Sequence, residues 1–149
     1  FLDIEAVAQD ARRPEPPQEE RRWWPTVAEI AGHIQERLAE DDRTGAMRLL
    51  ADGINRLPDA AAQHRLDAAL QAPPSTGSPR WDTLLAAAVR YRLHQIGERP
   101  PAWTHKPPLD VFWWPTRLSP SQQYNDMAHT PAEFRRVGIF IDEKELSSA

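Results

Sequence analysis

His33 lies four residues after Glu29 and three before Glu36, a spacing that places one imidazole and two carboxylates on a single helix face. Such a set can begin a divalent-metal site, but a zinc centre needs a third or fourth ligand of fixed geometry. No HExxH-type motif supplies one. The trio therefore reads as a solvated helix face, where charged side chains normally sit. His64, His94, His105 and His129 are scattered, and none has a sequence neighbour that marks it as a general base. Ser75-Thr76-Gly77-Ser78 lacks the GxSxG elbow, the phosphate-loop lysine and the strand-then-helix setting, so it reads as a linker. Asp3, Asp10, Asp82, Asp110 and Asp126 form no paired-carboxylate pattern, and the chain has no cysteine. Disulfides, thiol catalysis and cysteine-held metals are thereby excluded. The expectation is a protein without catalytic residues, metal or cofactor, and not an enzyme.

Charge narrows the partners. The net charge of −4 argues against a non-specific nucleic-acid binder, which is usually basic. Arg12-Arg13 and Arg21-Arg22 flank a stretch whose Glu15, Glu19 and Glu20 largely offset them. No apolar run approaches the roughly 18 residues of a membrane span, so no membrane role is expected and the protein is taken as cytoplasmic.

Aromatic residues are the more telling group. Four of the six tryptophans fall in 81–149, around the run Leu109-Asp110-Val111-Phe112-Trp113-Trp114-Pro115. In an extended segment, adjacent Trp113 and Trp114 point to opposite sides, so one can enter the core while the other needs a second surface. Aromatics beside arginine are the usual composition of interface hot spots. The candidate partner-binding set is Trp103, Phe112, Trp113, Trp114, Arg117, Phe134, Arg135 and Arg136.

The elements that must position this set are helical. Residues 1–13 show helical spacing, and 14–22, with three prolines and no apolar side chain, form a linker. Thr26 and Glu29 make a capping box for a helix with Val27, Ile30, Ala31, Ile34 and Leu38 on one face, and Trp24 is expected to pack on its first turn. A second helix carries Met47, Leu50, Ile54 and Leu57 and is expected to end at Pro58; a third, capped by Asp59, carries Ala62, Leu66, Ala69 and Leu70. Ser78 and Pro79 start the strongest helix, with Trp81, Leu84, Leu85, Ala88, Tyr91 or Arg92, and Ile96 inward, and Gly97 ends it. Residues 98–115 are expected to be irregular. Ser119-Pro120 and Thr130-Pro131 then open two short helices, with Thr130 and Glu133 as a second capping box. Ile139-Phe140-Ile141 is either one edge strand or an extended tail. The fold class is all-α: a small helical bundle with a Pro/Trp-rich irregular C-terminal half and at most one short strand. It divides into a remnant helix and linker (1–22), a helical segment (23–72) and a helical, aromatic-rich interaction module (73–149).

Three motifs in order, the Pro-Ser-Thr-Gly loop before Trp81-Asp82, Pro101-Ala102-Trp103, and Thr130-Pro131-Ala132-Glu133-Phe134-Arg135-Arg136 with Gly138-Ile139-Phe140-Ile141-Asp142, carry a family resemblance. Residues 73–146 resemble the C-terminal region of helix-turn-helix antitoxins from high-GC Gram-positive bacteria. Those proteins are paired with abortive-infection nucleotidyltransferase-like toxins. The resemblance implies binding and neutralisation of a cognate toxin protein by occlusion, with the C-terminal dimerisation or sensing part of a transcriptional regulator as the alternative. Residues 1–13 are similar to the tail of an excisionase-like winged helix-turn-helix, and the chain opens at Phe1 rather than Met. DNA contact is accordingly expected only through a domain preceding these residues.

Overall fold

Thr26 accepts the Glu29 N–H at 3.1 Å while the Glu29 carboxylate accepts the Thr26 N–H at 2.8 Å, completing the expected capping box. The helix so started, α1 (Val27–Ala39), buries Val27, Ile30, Ala31 and Ile34 on the predicted face. The computed structural model describes residues 22–116 and 119–147. The stretch read as helical over 1–13, nearly all of the linker over 14–22, and Arg117 lie outside the described residues.

Asp42 caps α2 (Arg43–Ile54) by accepting the Gly45 N–H at 2.8 Å. The α1–α2 pair is close because Gly53 has no side chain: a Cβ there would stand 2.4 Å from Ile30 Cδ1. Pro58 does not end α2. It occupies the first turn of α3 (Leu57–Ala62), where its missing N–H costs nothing. Nor does Asp59 cap α3, since it lies inside the first turn and the N-cap is Arg56. The third predicted helix breaks at His64, which takes a φ of +57°, and Leu66–Ala69 is a separate turn, α4. Trp24 is buried and donates its indole N–H to Gln63 Oε1 at 2.8 Å.

The centre of the molecule is α5 (Pro79–Gln95), opened by Ser78 and Pro79 as expected. Every residue from Thr83 to Val89 is buried, not just one face. Ala86, Ala87 and Ala88 leave room for neighbouring chain to close in, and a helix covered all round must be apolar or small all round. Helix α5 packs against α2 and against the short α7 (Ala132–Arg135). One buried cluster runs from Trp24 through Leu84 and Leu93 to Phe134 and Leu146, so residues on both sides of position 72 share it.

The C-terminal half is irregular apart from a 3₁₀ turn at Ala102–Thr104, helix α6 (Pro120–His129), α7 and a second 3₁₀ turn at Glu143–Leu146. Ser119 and Gln122 form the capping box of α6. The box expected from Thr130 and Glu133 is not made. Pro131 is the N-cap of α7 without a side-chain bond, and Glu133 instead reaches His94 Nδ1 at 2.6 Å. Thr130 Oγ1 donates to the Asp126 carbonyl and accepts the Ile141 N–H at 3.1 Å, tying α6 to the tail. The turn after α7 has the Ile139 N–H on Phe134 O and the Gly138 N–H on Arg135 O, at 3.0 Å each. Gly138 adopts φ +80°, the left-handed position that this ending requires.

Candidate functional site

That turn delivers Ile139-Phe140-Ile141 as buried, extended chain alongside residues 109–114. Leu109 N–H donates to Val137 O at 2.9 Å, Trp113 N–H to Gly138 O at 3.0 Å, and Phe140 N–H to Trp113 O at 2.9 Å. The result is one parallel bridge, Trp113 to Ile139. Among the described residues it is the nearest approach to a strand.

Side chains alternate along the bridged segment as extended geometry demands. Trp113 turns to the core and meets Trp81 edge to face, ring centroids 5.7 Å apart, with the Arg80 guanidinium 5.8 Å above its ring. Phe112 and Trp114 turn the other way and flank Phe140, each with centroids 5.2 Å from it. The Trp114 indole N–H reaches Gln123 O at 3.3 Å. Both tryptophans end half-buried, whereas Val111 is 65% and Phe112 62% exposed.

Residues 112–116 form one wall of a cleft of about 1000 Å³. Its other walls are α2 along its length to Asp52, Arg80 at the head of α5, Gln123 of α6, and Lys144 and Glu145 of the last turn. Arg43, Arg48, Arg80 and Lys144 bring positive charge; Asp41, Asp42, Asp52 and Glu145 bring negative charge.

The eight residues singled out from sequence do not share one place. Phe112, Trp113 and Trp114 converge on the cleft. Trp103 packs on the core elsewhere and donates its indole N–H to Leu70 O at 2.7 Å. Phe134 is 0% exposed and packs at a tilt against Tyr91, centroids 5.8 Å apart, so it supports the fold and offers no surface to a partner. Arg135 is exposed and holds Thr130 O at 3.0 Å; Arg136 is exposed beside it. Sequence reasoning missed Arg43, Arg48, Arg80 and Lys144. Arg80, adjoining Trp81, had a local signal; the others reach the aromatic wall only through tertiary packing.

Several of the residues weighed for chemistry are engaged structurally. Arg22 grips both Glu29 carboxylate oxygens, at 2.7 and 3.2 Å. With the Thr26 N–H added, these bonds hold the Glu29 pKa down to about 2. Glu29 is thus an ion-pair and capping partner. No group of three metal-ligating side chains occurs among the described residues. The Ser75-Thr76 loop is more than a linker: Asp82 accepts Ser75 Oγ at 2.6 Å and both the Thr76 N–H and Oγ1 at 2.7 Å. Tyr91, its hydroxyl on Glu143 at 2.8 Å, has its pKa pushed up to about 12 by burial and by that carboxylate. Asp126 is buried with one carboxylate oxygen unpartnered, and burial together with nearby Asp142 raises its pKa.

No family model matches the chain, and searches of curated proteins and of solved structures find no match. No helix among the described residues is long and apolar enough to cross a membrane.

Proposed function

We propose that this chain is an antitoxin-like binding module that neutralises a cognate nucleotidyltransferase-like toxin by covering its substrate cleft. The observation that carries the proposal is the exposed pair Val111 and Phe112 beside two half-buried indoles, held on a main-chain bridge at the rim of a mixed-charge cleft. Large aromatics presented on a fixed backbone lose little conformational freedom on binding, which favours affinity. A buried-aromatic centre with a charged rim is the usual anatomy of a protein interface. The resemblance of residues 73–146 to the antitoxin family supports the choice of a toxin as the class of partner. In this reading the module acts in the cytoplasm, performs no catalysis, and meets DNA only through a preceding domain of a longer parent protein.

The test is co-expression with the product of the adjacent gene. Growth rescue together with co-purification of a stable complex is expected. Loss of both, with the chain recovered instead as a self-associated dimer, would overturn the proposal in favour of the regulator reading.

A further inference from the structure

The single bridge has a directional consequence. Trp113 spends its N–H and its C=O on Gly138 and Phe140. In extended chain the neighbouring N–H and C=O groups point the opposite way. Those of Phe112 and Trp114 therefore face away from residues 138–140, and among the described residues they have no hydrogen-bond partner. An unpaired run of backbone donors and acceptors is a ready template for another strand. It lies in the segment that walls the cleft, with an exposed Phe112 ring to seat alternate side chains.

Charge indicates what kind of chain fits. Arg80 lies over Trp113, and neither it nor Arg43 or Arg48 has an ion-pair partner among the described residues. The carboxylates of the same cleft would repel a nucleic-acid strand, whose every unit is anionic. A polypeptide can meet both signs.

We propose that the free edge at Phe112 and Trp114 accepts an extended, acid-bearing segment of the partner protein by strand addition, with a carboxylate of that segment directed to Arg80. This rests on the reading of the chain as a protein-binding module and names the element that it binds. Main-chain hydrogen bonds would give affinity, and the alternating aromatic seats would give specificity.

Short random peptides displayed on phage, selected against the full chain, supply the probe. The selected peptides should carry an acidic residue, and bound peptide should slow hydrogen exchange at the Phe112 and Trp114 amides by at least about tenfold, the effect of one added hydrogen bond of ordinary strength. Phe112→Pro removes the outward N–H but leaves the Trp113 bridge; it should weaken peptide binding about tenfold more than Phe112→Ala, which removes only the ring. If Phe112→Pro loses its helical circular dichroism, an amide-to-ester replacement at Phe112 makes the same comparison. Arg80→Gln should erase the preference for acidic peptides. Failure to select any peptide that protects these amides, equal binding by the Pro and Ala variants, or displacement of peptide by oligothymidylate would overturn the proposal. A toxin complex in which both amides exchange as in the free chain would refute strand addition while sparing the antitoxin reading. Peptides seated on the edge without any toxin complex would do the reverse.

Discussion

Trp81 and Trp113 meet edge to face, with ring centroids 5.7 Å apart and planes inclined at 72°. One ring belongs to the first turn of the central helix and is buried; the other belongs to the aromatic wall and is half-buried. The seat of the candidate interface is therefore the core itself, and the two tryptophans should respond very differently from Phe112.

Trp81→Ala should destabilise the protein by about 3–5 kcal/mol, through lost burial and the cavity left beneath Trp113. Chemical denaturation measures this directly. A midpoint unchanged from wild type would mean that α5 does not anchor the C-terminal half.

Phe112→Ala should leave stability within about 1 kcal/mol, since the exposed ring gives up little beyond its contact with Phe140. Toxin neutralisation in cells should nevertheless be weakened. Trp113→Ala should impair folding and neutralisation together. If Phe112→Ala neutralises as well as wild type, the aromatic rim is not the contact surface.

Asp82→Ala should release the loop at Ser75 and Thr76 and cost about 2–3 kcal/mol, because three donors lose a charged acceptor. The expected signature is fast exchange at the Thr76 amide together with a lower melting temperature. Retained protection of that amide would show that Asp82 does not hold the loop.

Tyr91 provides a pH test. Its pKa is about 12 in the fold against an ordinary 10, so the neutral hydroxyl is the form that the fold prefers. The stabilisation is complete below about pH 10 and fades as pH rises toward 12, where the unfolded chain ionises first. Tyr91→Phe should flatten the fall in stability over that interval. A wild-type protein that is equally stable at both ends of the interval would contradict the assignment.

Much of this arrangement was legible in the chain, for reasons that differ between elements. Thr26 with Glu29 and Ser78 with Pro79 are local devices, complete within four residues, and both helices start where those residues say. Thr130 carries the same local signal and does something else, because Asp126 and Ile141, brought close by the fold, compete for its hydroxyl. The full burial of α5 escaped a one-face reading since alanine is as acceptable outside a core as inside it. Of the site, the opposite facing of Trp113 and Trp114 followed from strand geometry. Arg43, Arg48 and Lys144 could not be placed with them, for no spacing rule connects positions so far apart. Phe134, grouped by its aromatic character with the contact residues, is held entirely inside by α5 and α7.

Thr130→Val keeps the shape and removes both bonds of the hydroxyl. It should cost about 1–3 kcal/mol, the usual result of leaving buried groups unpaired. Hydrogen exchange at Ile141 should accelerate selectively. Uniform acceleration along the whole chain would mean that the tail and α6 do not open as a local unit.

The bridge between Trp113 and Ile139 is made of main-chain atoms alone. Val111 and Phe112 can therefore change identity without disturbing the hydrogen bonds that position them. Such a scaffold lets recognition drift while folding stays put: two descendants of one ancestor could part company in their choice of partner by exchanging a pair of exposed side chains, each keeping an intact interior.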